Sequence, residues 1–278
     1  MNIRDIVART LAEDLGAGDV TTQALFPDAV PAVGTIVAEE RDGLVLAGLA
    51  VAVEVFRQVD SSLTCSPNTT DGARIPHETM VLTVTGDGRS MLKGERVALN
   101  FLQRLSGIAT LTAKFCEAVK GFTVKIVDTR KTTPGLRTLE KWAVTLGGGH
   151  NHRHSLADGI LIKDNHLALA GGDVTRACRL ARERAPHGLK IEVEVRALDE
   201  VQAALDGSAD IILLDNMDGP LIRKAVELIK GRALVEVSGG VSLATVREIA
   251  AAGPDLISVG ALTHSAPAAN LSMDIVSR

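Results

Sequence analysis

The second half of the sequence repeats one pattern four times, as KIEVEV (190–195), DIILLD (210–215), LVEVS (234–238) and LISVG (256–260). Each run is short and mainly apolar, which is typical of strands buried in a parallel sheet. A polar residue or a glycine lies at the end of each run, and the steps between Glu194, Asp215, Ser238 and Gly260 are 21, 23 and 22 residues (215−194, 238−215, 260−238). This spacing is the length of one strand–helix unit with short loops.

The same pattern extends on both sides of these runs, so that six strands are predicted beyond residue 123. They are Thr123–Thr129, Gly159–Lys163, Lys190–Val195, Asp210–Leu214, Leu234–Val237 and Leu256–Val259. Apolar stripes at helical spacing, beginning at Leu198, Leu221 and Leu243, lie between the later ones. Alternating strands and helices predict a barrel or a doubly wound sheet, and a seventh strand around Thr145–His152 is compatible with a seven-stranded or partly open barrel.

The first 105 residues have a different texture. Helical periodicity covers Ile3–Leu15, Val51–Val59 and Arg89–Ser106, and Met80–Thr85 has an extended pattern. An Arg-Asp-Gly turn at 41–43, between apolar runs at 33–40 and 44–46, predicts a hairpin. These signals favour an α+β unit with a small antiparallel sheet.

Composition narrows the class of protein. The chain of 278 residues has no Tyr and only 2% aromatic residues, so its core must be aliphatic. A formal net charge of −4 gives no general attraction to nucleic acid or to an anionic membrane. Three scattered cysteines without a CxxC motif, and the lack of a signal-peptide or membrane-spanning apolar run, predict a cytoplasmic protein.

One segment reverses the acidic character of the chain. Between residues 130 and 154 lie five cationic residues and one acid, Glu140; the cations are Arg130, Lys131, Arg137, Lys141 and Arg153. Guanidinium forks bind carboxylate or phosphate in a bidentate manner, and the triple glycine at 147–149 could expose backbone N–H groups to an anion. The segment predicts a pocket for a small molecule with several negative charges. Zinc on the alternating His150, His152 and His154 is disfavoured, since no acid or Cys ligand is near in sequence.

The strand ends predict two further functions. Carboxyl ends of strands face the active site in α/β barrels. Glu194 and Asp215 could therefore share one Mg²⁺, which proteins hold with one or two carboxylates plus substrate phosphates. The glycine turns at Ser238-Gly239-Gly240 and at Gly260 are typical of phosphate-binding loops after late strands. A P-loop and a GxGxxG motif are both absent from the sequence, which disfavours kinases and dinucleotide-binding enzymes.

Motifs along nearly the whole chain resemble the quinolinate phosphoribosyltransferase family. They are EDL (13–15), GDVTT (18–22), GERVALNFLQRLSGIAT (94–110), TRKTTPGLR (129–137), GGG (147–149), NHR (151–153), LIKDNH (161–166), EVEV (192–195), LLDN (213–216) and VGALTHS (259–265). Trp142 stands where the family often has Tyr, and His150 and His154 flank the NHR motif.

The resemblance implies a fold and a reaction. It implies two domains. The N-terminal α/β domain is an α+β sandwich (1–107, joined by the C-terminal segment 266–278), and the catalytic domain is an α/β barrel (108–265). It implies a homodimer, or a higher oligomer, with shared active sites. The implied reaction combines quinolinate with phosphoribosyl pyrophosphate and yields nicotinate mononucleotide, pyrophosphate and CO₂, a step of NAD biosynthesis.

The matching motifs also imply roles for individual residues. The quinolinate carboxylates would face Arg130, His152, Arg153 and Lys163, and Arg104 would reach in from the partner subunit. The sugar pyrophosphate and Mg²⁺ would be served by Lys131, Glu194 and Asp215, so that Lys163, Glu194 and Asp215 are the expected catalytic residues. The 5′-phosphate would be held by Ser238, Gly239, Gly240 and Gly260.

Three alternatives stay open on sequence grounds. A related phosphoribosyltransferase could act on another aromatic acid. A class I aldolase could use Lys163 as a Schiff-base amine. A binding module could hold dicarboxylates without turnover, although nothing would then require the pair Glu194 and Asp215.

Overall fold

A computed structural model describes residues 2–278, and the chain forms two compact units. The first contains residues 1–113, 132–148 and 263–278, and the second contains residues 114–131 and 149–262. The predicted domain boundaries at 107/108 and 265/266 stay a prediction, because a compact unit is not necessarily an independently folding domain.

Helices and strands alternate along most of the chain. The helices are α1 (Ile3–Leu15), α2 (Val20–Leu25), α3 (Leu49–Val59), α4 (Gly88–Ala118), α5 (Arg137–Leu146), α6 (Asp164–Leu169), α7 (Val174–Arg184), α8 (Leu198–Asp206), α9 (Gly219–Ile229), α10 (Val246–Ala251) and α11 (Ala261–His264). The strands are β1 (Pro31–Ala38), β2 (Leu44–Val45), β3 (Thr64–Pro67), β4 (Arg74–Ile75), β5 (Thr79–Asp87), β6 (Lys125–Val127), β7 (Ile160–Ile162), β8 (Ile191–Val195), β9 (Ile211–Asp215), β10 (Leu234–Ser238), β11 (Leu256–Ser258) and β12 (Leu271–Ser277).

The first unit is built on an antiparallel sheet of order β12-β1-β5-β3. The C-terminal strand β12 pairs with β1 from Ala32↔Ser277 to Ala38↔Leu271, so the end of the chain completes the sheet of the first unit. Alternate residues of β1 are buried, which is the burial pattern of a strand with one face on a core.

The hairpin predicted around residues 41–43 is wrong. Strand β1 pairs with β12 and β5, whereas the short strand β2 pairs with β4 through Leu44↔Ile75. Gly43 does form a turn, with a φ of 71°. A turn signal reports only the local chain reversal, and the choice of partner strand depended on segments more than 30 residues away.

The second unit contains a parallel sheet of six strands in the order β6-β11-β10-β9-β8-β7. All six predicted strands are present, and the predicted α/β class with an incomplete TIM-like barrel is confirmed. The proposed seventh strand is reduced to one parallel bridge between His150 and Val127 on the free edge of β6. On the face toward the helices, buried residues such as Val193, Ile212 and Val235 pack against α7, α8 and α9. The residues between them along each strand therefore point the other way, into the barrel lumen.

No helix within residues 2–278 is long and apolar enough to cross a membrane.

Candidate active site

All the predicted site residues except Arg104 belong to the second unit. Lys163 directly follows β7, Glu194 is the fourth residue of β8, Asp215 ends β9, Ser238 ends β10, and Gly260 follows β11 by two positions. The strands are parallel and adjacent, so these residues share the carboxyl-terminal edge of the sheet.

The two predicted metal carboxylates are connected through cations. The Lys163 ammonium forms an ion pair with Glu194, whose side chain is 8% exposed. Arg196 lies between the carboxylates: its Nε is 3.2 Å from Asp215 Oδ2 and its Nη2 is 3.9 Å from Glu194 Oε1. Asp164 adds a third carboxylate, 3.3 Å from Arg196 Nη2. The hydrogen bond with Asp215 raises the pKa of Arg196.

Arg196 was missed by the sequence reasoning. It lies one residue beyond β8, in the position where charged residues commonly leave a strand for solvent, and its side chain is 59% exposed. Its importance comes only from the neighbouring strand, which brings Asp215 within reach.

The donor set at this edge suits Mg²⁺. Two carboxylates, one nearly buried and one 14% exposed, come from adjacent strands, and hard carboxylate oxygens are preferred Mg²⁺ ligands. Two cations, Lys163 and Arg196, face three carboxylates, so the edge keeps a net negative charge that could attract a metal ion.

The predicted cationic cluster is divided between the two units. Arg130, Lys131 and Arg153 belong to the second unit, whereas Arg137 and Lys141 belong to the first. Lys141 is fully buried in α5. Burial and the neighbouring Arg130 lower the pKa of Arg153, which indicates that cations are crowded together there. A crowded group of cations is favourable only when an anion joins it.

The triple glycine serves packing. A Cβ on Gly147 would clash with the backbone oxygen of Ala109 and lie 2.6 Å from Thr112 Cβ, so α5 can end against α4 only with a glycine here. Gly148 has a φ of 87° and turns the chain away from α5. The prediction that this stretch forms an anion nest stays a prediction.

The turn after β10 has the backbone that a phosphate loop requires. Gly239 and Gly240 have φ of 94° and 61°, a region that favours glycine. A side chain on Gly239 would also clash with Asn216, the residue after β9. The turn therefore packs closely against the residue that follows Asp215 at the end of the neighbouring strand.

His152 faces two buried carboxylates in the lumen of the barrel. Its Nε2 is 3.1 Å from Glu192 Oε2 and 3.5 Å from Glu236 Oε1. Its Nδ1 accepts a hydrogen bond from the Arg153 backbone N–H at 2.7 Å, and the backbone N–H of His152 donates to Asp128 Oδ1 at 2.9 Å. The predicted contact of His152 with a substrate carboxylate stays a prediction, since both ring nitrogens have protein groups within reach.

Glu192 and Glu236 were also missed, although the sequence carried a signal. Side chains two positions apart on a strand share a face. Glu192 stands two residues before Glu194, and Glu236 stands two residues before Ser238. Both had to point into the lumen once Glu194 and Ser238 were assigned to it.

Arg104 lies in α4 of the first unit, in a network within its own chain. Its Nη2 and Nε lie 2.8 and 3.0 Å from Glu140 Oε1. It also donates to the backbone oxygens of Thr263 and Ala266. The side chain is 27% exposed. Its predicted role in a neighbouring subunit's site stays a prediction.

Comparison with known proteins gives consistent matches over the full length. A model described as quinolinate phosphoribosyl transferase, N-terminal domain, matches residues 19–106, and the corresponding C-terminal domain matches residues 108–274. The probable nicotinate-nucleotide pyrophosphorylase [carboxylating] of Bacillus subtilis is 38% identical, over 99% of this chain and 94% of its own length. The protein of the same description from Synechocystis is 42% identical, over 96% of this chain and 90% of its own.

Solved structures agree with these matches. The crystal structure of NadC from Streptococcus pyogenes has a TM-score of 0.94 and 42% identity, over 99% of this chain and 97% of that one.

Proposed function

We propose that this chain, which belongs to the quinolinate phosphoribosyltransferase family, transfers a phosphoribosyl group from phosphoribosyl pyrophosphate to quinolinate with loss of CO₂. The products are nicotinate mononucleotide, pyrophosphate and CO₂, and the pathway is NAD biosynthesis. The observation that carries the proposal is the shared edge of the parallel sheet, where the order of cations, carboxylates and glycine turns suits a dicarboxylate beside a phosphorylated sugar.

Each part of the edge has a proposed partner. The quinolinate carboxylates bind to Arg130, Arg153, Lys163 and His152, and the sugar pyrophosphate binds to Lys131. Ser238, Gly239, Gly240 and Gly260 hold the 5′-phosphate with backbone N–H groups. Glu194 and Asp215 hold Mg²⁺, which supplies positive charge to the leaving pyrophosphate when it is bound.

The proposed reaction mainly requires charged side chains in fixed positions and a fixed orientation of the two substrates. Cationic character develops at the anomeric carbon as pyrophosphate leaves, and the nearby carboxylates of Glu194 and Asp215 stabilise it. Nitrogen attack then makes the ring a pyridinium, which stabilises the electron pair left at C2 when the bond to the 2-carboxylate breaks and CO₂ departs. A proton from solvent then binds to C2 and completes nicotinate mononucleotide. Lys163 and the arginines align the ring for both steps.

The direct test combines quinolinate, phosphoribosyl pyrophosphate and Mg²⁺ with the protein and measures CO₂ and nicotinate mononucleotide. Nicotinate is the matched control, because it lacks the 2-carboxylate and would leave one of the proposed cationic contacts without its anionic partner. We expect strong preference for quinolinate. Comparable turnover of nicotinate would favour the alternative, a related transferase for another aromatic acid.

Lys163 separates this proposal from an aldolase. An ammonium held in an ion pair with Glu194 is not a nucleophile, which supports an electrostatic role. Borohydride with a carbonyl substrate should therefore trap no adduct, and Lys163→Ala should lose turnover of quinolinate. A trapped adduct seen by mass spectrometry would support the Schiff-base mechanism.

We further propose a cytoplasmic homodimer in which Arg104 serves the partner's site. The test mixes an Arg104 variant with Lys131→Ala, each nearly inactive alone; a mixed dimer then has one site with both lesions and one with neither. Arg104→Lys is preferable to Arg104→Ala, because the lysine keeps a cation beside the buried Glu140. Activity should return in mixed dimers verified by mass. Mixed dimers as inactive as their parents would place Arg104 in its own subunit's chemistry or in none.

A further inference from the structure

Three side chains lie close together in the barrel lumen. One of them, His152, has a role in the proposed reaction, and the other two, Glu192 and Glu236, have none. His152, Glu192 and Glu236 each offer one ligand atom, and these atoms lie within 4.8 Å of one another. Glu192 and Glu236 come from β8 and β10, two strands that flank β9, and His152 follows the bridge at the free edge of β6. All three belong to the second unit.

The two buried carboxylates of the cluster face the His152 imidazole, which is cationic only when it is protonated. Glu236 is 1% exposed and Glu192 is 4% exposed. Among residues 2–278 neither oxygen of Glu236 has a hydrogen bond of ordinary geometry, although Ser258 and His152 lie close enough to favour its charged form. Burial and the neighbouring Glu192 raise the pKa of Glu236 to about 7. A buried carboxylate without a donor is unfavourable, and a cation would relieve both its desolvation and its repulsion of Glu192.

The geometry suits one small cation. Ligand atoms that share a metal ion at about 2.0–2.2 Å lie roughly 2.8–3.6 Å from one another, across octahedral and tetrahedral geometries. The separations from His152 Nε2 to Glu192 Oε2 and to Glu236 Oε1 are 3.1 and 3.5 Å. The imidazole is therefore already spaced from each carboxylate as one ligand is from its neighbour, and all three ligand atoms lie within 4.8 Å of one another.

We propose that His152, Glu192 and Glu236 form a binding site for one divalent transition-metal ion in the barrel lumen. Imidazole with two carboxylates suits Zn²⁺, Mn²⁺, Fe²⁺ or Co²⁺, whereas Mg²⁺ prefers oxygen ligands alone. The site differs in residues and in ligand chemistry from the pair Glu194 and Asp215.

A route to the cluster exists. Glu192, Glu236 and His152 line a cavity of about 460 Å³. Its lining also includes the first residues of four strands, Lys125, Ile160, Ile211 and Leu256, so it extends toward the amino-terminal ends of the sheet. Waters in this cavity could complete the coordination of the ion.

One contact must change on binding. A metal on Nε2 places the ring proton on Nδ1, which now accepts the Arg153 N–H. The Arg153 peptide or the ring must therefore rotate, and a new acceptor for Nδ1–H is needed. This change should make binding weaker than at a preformed site, and should alter the Arg153 backbone amide signal in NMR spectra.

The test uses the full-length protein, stripped with EDTA and titrated with Co²⁺ in excess Mg²⁺, followed by visible absorption and calorimetry. The wild type should bind one Co²⁺ per chain at the lumen site, and Glu236→Gln should weaken this binding at least tenfold. Glu194→Gln is the matched control, since it removes a predicted Mg²⁺ ligand two positions beyond Glu192. It should keep the Co²⁺ spectrum. Circular dichroism and thermal melting verify that each variant is folded.

The possible results are distinct. The proposal is overturned if the folded wild type binds no stoichiometric Co²⁺, if folded Glu236→Gln binds it as tightly as the wild type, or if Glu194→Gln loses it equally. Should Glu236→Gln fail to fold, His152→Gln takes its place and must lose both affinity and the spectral signature of a nitrogen ligand. None of these measurements depends on turnover of quinolinate, so failure here leaves the proposed function standing, and the converse also holds.

Discussion

Glu140 and Glu236 are equally buried and very differently satisfied. Glu140 is 0% exposed in the first unit, where it accepts hydrogen bonds from Arg104 Nε and Nη2 and from Thr133 N and Oγ1, at 2.7–3.0 Å. Glu236 is 1% exposed in the second unit and accepts none from the residues that the structure describes. Two residues of the same type, at the same depth, thus lie in opposite electrostatic environments.

The comparison of Glu140 with Glu236 indicates how a buried carboxylate that stabilises the fold differs from one that binds a ligand. A carboxylate whose lone pairs are filled by fixed donors binds neighbouring segments together, here α4, α5 and the loop before α5. A carboxylate left without donors decreases stability, and such a group is retained where a ligand or proton completes it. Burial alone therefore does not distinguish a fold-stabilising acid from a ligand-binding one.

The largest expected effect is the loss of Glu140. Glu140→Ala leaves the Arg104 guanidinium and the Thr133 N–H without their acceptor, and should lower the free energy of unfolding by about 3–5 kcal/mol. Urea unfolding followed by circular dichroism measures it. Glu117→Ala is the control, because its ion pair with Lys120 is 60% and 75% exposed and should matter by less than about 1 kcal/mol. Equal losses of stability in the two variants would show that the buried ion pair of Glu140 contributes no more than the exposed pair of Glu117.

A smaller and pH-dependent effect is expected at Glu236 in protein kept free of metal with EDTA. Its folded pKa is raised from 4.5 to about 7 by burial and Glu192, while His152, the Ser258 hydroxyl and Lys163 oppose the shift. The folded state therefore holds this proton more tightly than the unfolded state. The stability that this gives is fully present below pH 4.5 and is lost as the pH rises to about 7.

Glu236→Gln, which resembles the protonated acid, provides the comparison. Its melting temperature should match that of the wild type at low pH and exceed it above pH 7. A difference that is constant across this range would show that the carboxyl group does not titrate there.

The smallest effect is expected at Asp87, a surface carboxylate that is 17% exposed and precedes α4. The hydrogen bond from Arg89 lowers its pKa to about 2. Its contribution is thus present above the usual 3.8 and is lost as the pH falls toward 2. Asp87→Asn should lower the free energy of unfolding by only about 1 kcal/mol at neutral pH, because solvent screens the ion pair of Asp87 with Arg89. The loss should be smaller at acid pH, where Asp87 becomes protonated. Thermal melts of both proteins at the two pH values test this order.

The local elements, and the polar residues at the carboxyl-terminal edge of the parallel sheet, could be predicted from the sequence alone. The six strands of the second unit follow from short apolar runs at regular spacing, and the residues that end them follow from the same register. These features are local, because the alternation of side chains along a strand, and hence its buried face, depends on consecutive residues. The family motifs add the expected chemistry on top of that register.

Which strands pair and which charges lie in contact depended on the three-dimensional fold. The turn at residues 41–43 was correctly placed, yet β1 found its partners in β5 and in β12 at the far end of the chain. Arg196 pairs with Asp215 on the next strand, and the close approach of α4 requires a glycine at position 147. Glu140 and Glu236 are indistinguishable as letters, since the donors that satisfy one and are missing around the other come from distant segments. Desolvation and pairing are properties of a three-dimensional neighbourhood, which no single stretch of sequence contains.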